Sequence, residues 1–344
     1  MKASWLRYRL DFRFTAITSR DRLSWKDTYY IKVYDPQSGN TGIGEAGLFR
    51  GLSADDLPDY EERLGQACRD IDRYVSQGTS ELAPYPSIRF GIETAIADLR
   101  NGGRRMLYDT PWSRGETSLT TNGLIWMGDK ATMGERLEAK LAEGFRCIKI
   151  KIGGIDFGQE LELLSYLRSI APSVELRLDA NGAFHPSTTL DHLEKLARFD
   201  IHSIEQPIRQ GQWEEMARIC KESPIPVALD EELIGLHDPD LRRRMLDIAR
   251  PAYIILKPTL TGGFEASDEW ISLARERNIG WWATSALESN IGLNAIAQWV
   301  ATYDPAMPQG LGTGQLYHNN IPSPLTLRGE SLYLDTEKKW EISI

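Results

Sequence analysis

No stretch of the chain approaches the roughly eighteen consecutive apolar residues of a membrane span. The opening MKASWLRYRLDF is broken by charges before the apolar core of a signal peptide can form. Cysteine is scarce: Cys68, Cys147 and Cys220 are widely spaced and never fall in a CxxC, which excludes a disulfide framework and a zinc–thiolate site. Basic blocks are absent too. With 49 acidic against 40 basic residues and a net charge of −9, no lysine or arginine track offers itself to phosphates, so nucleic acid is excluded as a partner. The five histidines, His185, His192, His202, His237 and His318, show no metal-ligand spacing and read as surface or local hydrogen-bonding groups. These absences predict an unexported, cytoplasmic protein with no membrane partner, while a homo-oligomer stays open.

What is present is an ordinary globular composition, 41% hydrophobic and 26% charged, in a chain of 344 residues, long enough for two domains or a barrel with an appendage. Residues 4–50 alternate as strands (DFRFTAITS, TYYIKVYD, TGIGEAGLF), and helical patterns follow over 53–77 and 86–101, where Ile88, Ile92, Ala95, Ile96 and Leu99 recur at helical spacing. This is an α+β module. From about 116 the texture changes to short apolar strands alternating with helices: CIKIKIGG, VELRLDANG, IHSIEQPI, IPVALDEEL, YIILKPT and IGWWATSALES. Their ends recur every 25–28 residues, the length of one strand, one helix and two loops. So many successive βα units predict an α/β fold closed into a (β/α) barrel. The tail LTLRGESLYLDTEKKWEISI reads as strands with an RGES turn, expected to return to the first module.

The polar residues within these strands carry the chemistry. Lys149 and Lys151 are two apart and share a face, as do Asp179 and Asn181; Glu205, Asp230 and Lys257 each end an apolar strand. All therefore lie at C-terminal strand ends, where barrel active sites converge. Three carboxylates brought together there need a cation, and oxygen-only ligation points to Mg²⁺, for which Mn²⁺ can substitute. Singly, each carboxylate could be a helix cap or salt-bridge partner. Lysines inside apolar strands are costly to bury unless they face anions, and a lysine beside a dication and other lysines has its pKa lowered far enough to act as a base. A structural lysine–carboxylate pair is the bland alternative. GLGTG at 310–314 lacks the helix N-terminus of a dinucleotide fingerprint and reads as the last barrel strand and its loop. Trp25, in a polar loop after the first strand, is a candidate to close over the site.

The KxK of Lys149 and Lys151, RLDANGAF, IEQP, LDEE and KPTLTGG together resemble the muconate-lactonizing subgroup of the enolase superfamily, over nearly the whole chain. ITSRDRLSW, NGLIWMG (122–128), TSALESNIGLNAIAQ (284–298) and GLGTGQLYHNN (310–320) resemble the dehydratase branch of that subgroup. The resemblance implies a modified (β/α) TIM-type barrel over 116–320 and an α+β capping domain formed by 1–115 with the tail 321–344. It implies Mg²⁺ held by Asp179, Glu205 and Asp230, Lys151 as base, Lys257 opposing it, and Lys149 binding the substrate carboxylate or tuning Lys151. Asn181 and Glu231 are placed behind the ligands, and Ser285, Gly312 and Thr313 are the candidate contacts to a small anionic carboxylate substrate. The implied reaction is the dehydration of 2-succinyl-6-hydroxy-2,4-cyclohexadiene-1-carboxylate to o-succinylbenzoate in menaquinone biosynthesis, with an N-succinyl amino acid racemase or dipeptide epimerase as the alternative.

Overall fold

The computed structural model describes residues 1–17 and 22–343. Part of the ITSRDRLSW segment, Thr18 to Asp21, lies outside the described residues. An antiparallel sheet in the order β1 (Lys2–Ile17), β2 (Arg22–Tyr34), β3 (Thr41–Ala46) opens the chain. Helices α1 (Tyr60–Arg69), α2 (Ile71–Gln77) and α3 (Pro86–Arg100) follow it. The helix expected over 53–77 starts later because Asp55 turns away to bind the backbone N–H of Ser87 at the start of α3 and Pro58 intervenes. It breaks at Asp70, a residue whose side chain competes for backbone groups. Tyr29, Ile31 and Val33 on one face of β2 pack with Ile88, Ile92, Ala95, Ile96 and Leu99 of α3 in one core, each large aliphatic contributing about 1.5–3 kcal/mol by burial. The backbones meet closely: a Cβ on Gly44 would lie 2.0 Å from the Gly91 carbonyl oxygen, which explains the alternating glycines of TGIG.

A short strand, β4 (Leu119–Thr120), leads into seven parallel strands in sequential spatial order: β5 (Gly123–Ile125), β6 (Cys147–Lys151), β7 (Glu175–Asp179), β8 (Ser203–Glu205), β9 (Val227–Leu229), β10 (Tyr253–Leu256) and β11 (Gly280–Ala283). Between and after them run α4 (Lys130–Ala142), α5 (Phe157–Ile170), α6 (Thr189–Ala197), α7 (Trp213–Glu222), α8 (Pro239–Ala249), α9 (Pro258–Thr261), α10 (Gly263–Arg275) and α11 (Asn290–Ala301). Side-chain caps by Asp129, Asp156, Asp238 and Ser289 start α4, α5, α8 and α11 directly after the strand-top loops. Outward residues such as Ile148, Ile150, Leu176, Leu178 and Ile204 form the main core against the helices. An eighth stave closes the curl: Gln309 N–H donates to Thr120 (2.8 Å) and its carbonyl accepts from Asn122 (2.9 Å), while Gly310 N–H donates to Ala283 (2.8 Å) and its carbonyl accepts from Ser285 (3.1 Å). Only glycine fits at 310, since a Cβ would stand 2.2 Å from Thr284 Oγ1. No helix among the described residues is long and apolar enough to cross a membrane.

The tail corrects one expectation. Its hairpin, β12 (Leu325–Arg328) and β13 (Ser331–Leu334), pairs with β4 and adds Leu332 to the barrel-side core, where the Trp112 indole donates to the Leu332 carbonyl (2.9 Å). Neither strand of the hairpin pairs with the N-terminal sheet. Ile321 before the hairpin and Trp340 and Ile342 beyond it pack with Tyr8, Tyr30 and Ile43 of the N-terminal sheet. The apolar alternation of LTLRGESLYL specified strands but not their partner.

Candidate active site

At the C-terminal ends of the strands a cavity of about 880 Å³ opens, lined by Lys149, Lys151, Asp179, Asn181, Glu231 and Lys257 on the polar side. Alternation along β6 aims both Lys149 and Lys151 inward, and the register sets Lys151 beside Asp179 and Asp179 beside Glu205. Lys149 Nζ donates to Glu205 Oε2 at 2.6 Å and lies 3.0 Å from Asp179 Oδ2. Lys151 Nζ donates to Asp179 Oδ2 (3.0 Å) and Asn181 Oδ1 (2.7 Å). Lys257, which follows β10, pairs with Asp230. Asn181 Nδ2 in turn donates to Glu231 Oε1 (3.1 Å). The structure thus brings together Lys149, Lys151, Asp179, Asn181, Glu205, Asp230, Glu231 and Lys257, all sequence candidates.

Burial and charge divide the protonation states. Burial alone would lift the Asp179 carboxyl, but Lys149 and Lys151 outweigh it and hold it well below the usual carboxylate range. Burial pushes Glu205 up, to about 8, reinforced by the charge of Asp179. For Lys149 burial is outweighed by Asp179 and Glu205, which hold it protonated. Lys151 is lowered by burial and then by the Lys149 ammonium, against the pull of Asp179. Two lysines a single strand step apart therefore have their affinities for protons pushed in opposite directions, the pattern that separates a base from an electrostatic stabiliser.

Asp179 and Glu205 end the adjacent strands β7 and β8, Asp230 directly follows β9, and Glu205 Oε1 is buried without a hydrogen-bond partner. An all-oxygen donor set with an orphaned oxygen fits a hard dication. Among the described residues no three His, Cys, Asp or Glu side chains form a ready cage, because the lysine ammoniums sit on the carboxylate oxygens a dication would take.

The other candidates fare differently. Gly312 and Thr313 line the cavity, and Thr313 Oγ1 is buried without a partner. Ser285 lines it too, but its hydroxyl donates to Glu288 Oε2 (2.7 Å) and accepts from Leu287 N–H (2.9 Å), so it has no proton left to offer a carboxylate. Trp25 does not cover the site: it is 45% exposed, away from the cavity, with the Arg9 guanidinium 4.1 Å from its ring centre. Leu23 lines the cavity instead, beside Phe14; it lies two positions from Trp25, but the pairing of β1 with β2 shifts register between Asp11–Trp25 and Ala16–Leu23. None of the histidines lines the cavity; His192 packs on Phe157 and His202 stacks on Tyr253.

Sequence reasoning missed the apolar wall. Trp126, just past β5, stands with its ring centre 5.9 Å from Lys151 Nζ, and Phe49, Arg50 and Leu52 reach over from the loop after β3. Trp126 shares the alternation of Leu124 and follows a strand end, the same signal that revealed the lysines. The Phe49–Leu52 loop carried only the weaker hint of apolar residues around a glycine outside any element.

Residues 132–337 match the family described as Enolase C-terminal domain-like. An o-succinylbenzoate synthase from Desulfotalea psychrophila is 47% identical over 96% of this chain and 98% of its own length, and one from Edwardsiella ictaluri is 26% identical over 91% and 90%. The crystal structure of MenC from Desulfotalea psychrophila superposes with a TM-score of 0.86 at 44% identity, covering 97% of this chain and 99% of that one. The L-Ala-D/L-Glu epimerase from Bacillus subtilis, at 18% identity and a TM-score of 0.82 over 97% and 96% of the two chains, shares the fold.

Proposed function

The chain belongs to the enolase superfamily, in its o-succinylbenzoate synthase family, and on that premise we propose that it dehydrates 2-succinyl-6-hydroxy-2,4-cyclohexadiene-1-carboxylate to o-succinylbenzoate, as a cytoplasmic step of menaquinone biosynthesis. The observation that carries the reading is the packing of three strand-end lysines among three strand-end carboxylates, with Lys151 alone of the β6 pair pushed toward its neutral form. Residues 1–115 act in this reading as a cap over the barrel 116–320, through Phe14, Leu23 and the Phe49–Leu52 loop.

Asp179, Glu205 and Asp230 would hold Mg²⁺, which when bound supplies positive charge to the substrate carboxylate as it gains electron density. The lysines released from these carboxylates then face the substrate. Lys151, as a neutral amine, takes the proton beside the carboxylate, and its ammonium returns that proton to the hydroxyl leaving from the neighbouring carbon; a C–H and a C–O bond break, a ring double bond forms and water departs. Lys149 stays protonated and stabilises the enediolate more than the ground-state carboxylate, the only kind of interaction that speeds the step. Lys257 follows β10, four staves from β6 in a ring of eight, and so faces Lys151 across the mouth, where its charge lies toward the ring face as aromaticity develops. Trp126 and the Phe49–Leu52 loop exclude water from the carbanion.

The same placement of Lys151 and Lys257 is what two-base racemization requires, so a racemase of N-succinyl amino acids is the second reading. A dipeptide epimerase is disfavoured because 310–320, GLGTGQLYHNN, carries no carboxylate for a substrate ammonium. The test is turnover of the cyclohexadiene substrate with Mg²⁺ beside N-succinyl amino acids and dipeptides in D₂O. Dehydration with slow or absent α-proton exchange supports the reading. Rapid exchange, blocked from one enantiomer by Lys151→Ala and from the other by Lys257→Ala, would replace it by racemization.

A further inference from the structure

Gln206 follows Glu205 directly, is fully buried, and has a left-handed backbone (φ 39°) that side-chain-bearing residues seldom adopt. Such a conformation persists only where the surroundings over-determine it. Here they do, because every polar group of the residue is engaged. Its N–H donates to the Ala228 carbonyl (2.9 Å), and its carbonyl accepts from Gly182 N–H (2.7 Å). Its side-chain oxygen accepts from the backbone N–H groups of Asp230 and Glu232, both at 3.2 Å. Its side-chain NH₂ donates to the Ile208 carbonyl (3.0 Å) and to Glu232 Oε2 (3.1 Å). Glu232 is itself pinned through Gly211 N–H (2.7 Å).

One residue thus bonds to the chain segments that carry all three candidate ligands: Asp179 through Gly182 three positions on, Glu205 through the peptide bond, and Asp230 through its own N–H. The strands there are only three to five residues long, and the ladder between β8 and β9 ends at Glu205–Ala228, below Asp230. Beyond that rung the amide of Gln206 takes over as the tie between the two strand ends. Its chemistry is specific, since the amide must accept on one side and donate on the other. A carboxylate would repel Glu232, and an apolar chain would leave two buried N–H groups unpaired.

We propose that Gln206 is a positioning residue that fixes the spacing and orientation of Asp179, Glu205 and Asp230 for a divalent cation. This rests on the metal reading of the preceding section. Groups that orient ligands from behind typically change metal affinity about 10–100-fold when removed. The discriminating variants are Gln206→Gly, which relieves the left-handed backbone but deletes the amide, and Gln206→Met, which keeps the length without hydrogen bonds. Mn²⁺ binding is measured on the full chain by electron paramagnetic resonance and calorimetry, with circular dichroism to confirm folding. Both variants are expected to bind Mn²⁺ at least about tenfold more weakly than wild type, with an altered resonance line shape. Should either fail to fold, Glu232→Ala, which frees one end of the amide, is expected to weaken Mn²⁺ several-fold. Wild-type affinity in Gln206→Gly, or in Glu232→Ala if that is the variant read, overturns the assignment of Gln206 alone; no Mn²⁺ binding by wild type overturns the metal reading and this proposal with it.

Discussion

Two clusters of buried charge sit within the same molecule, one at the barrel mouth and one at the seam between the N-terminal sheet and the barrel, and they are finished to different degrees. At the seam, Glu45 accepts from Thr28 Oγ1 (2.7 Å), Ser289 N–H (2.9 Å) and Oγ (2.6 Å), and Gly292 N–H (2.8 Å). Glu288 beside it accepts from Ser285 and Thr259, and Lys26 lies near both carboxylates with its ammonium on the Gly47 carbonyl (3.2 Å). The protein itself supplies the donors. At the mouth, Glu205 has Lys149 alone and one oxygen with no partner. A network completed by hydroxyls and backbone N–H groups serves to join domains, whereas one held mainly by lysine ammoniums, with a single backbone N–H from Asn181 on Asp179, is arranged to exchange those lysines for a ligand.

The largest effect that would sharpen the contrast comes from Lys151→Ala, expected to lower turnover of the cyclohexadiene substrate by about 10³-fold or more while leaving the melting temperature within a few degrees. Retained activity would remove Lys151 from the chemistry.

Next in size is a crossed pair. Glu45→Ala strands several buried donors and is expected to cost about 3 kcal/mol in denaturant unfolding with Mn²⁺ affinity unchanged. Glu205→Gln is expected to do the reverse: it abolishes measurable Mn²⁺ binding but shifts metal-free stability by less than about 1 kcal/mol, since Lys149 keeps Asp179. Equal behaviour of the two variants would erase the distinction between the clusters.

Asp55 is the intermediate case: Ser87 supplies two donors (2.9 and 2.7 Å), yet Oδ1 has none, and burial pushes its carboxyl up to about 6. A carboxyl raised on folding favours the native state at pH below its ordinary value and loses that contribution as pH climbs through about 6. Between about pH 4 and 6 this lowers wild-type stability by on the order of 1 kcal/mol per pH unit. Asp55→Asn is expected to flatten that slope in urea titrations at several pH values, and an unchanged slope would exclude Asp55 as its source.

The smallest effect compares lysines. Lys149→Ala is expected to lower kcat/KM about tenfold, and Lys195→Ala, on the exposed face of α6, to leave kcat/KM unchanged. Matching values would mean that the field at the mouth is not focused.

What could be read in advance followed from strand geometry. Lys149, Lys151, Asp179, Glu205, Asp230 and Lys257 were legible because a polar residue ending an apolar strand has few places to point, and the pitch of the βα units placed those ends together. The same logic would have found Trp126. The direction of Trp25, the partner of the terminal hairpin and the capture of the Ser285 hydroxyl by Glu288 were not legible, because each depends on contacts between segments far apart in the chain, Ser285 excepted. There a local pattern, S-A-L-E, places a carboxylate three residues on, and the hydroxyl satisfies a buried acid before it can serve a substrate.

The eighth stave bears on how the chain comes off the ribosome. The bridge from Thr121 to Gln309 is the rung that shuts the ring, and the bridge from Thr284 to Gly310 forms only when the same few residues arrive. Until those residues arrive β5, and β11 once it is made, are open edges, each with a free row of amides and carbonyls. The nascent chain is therefore most exposed to misassembly in the interval before residue 309 emerges, and closure depends on a glycine that no larger residue could replace at 310.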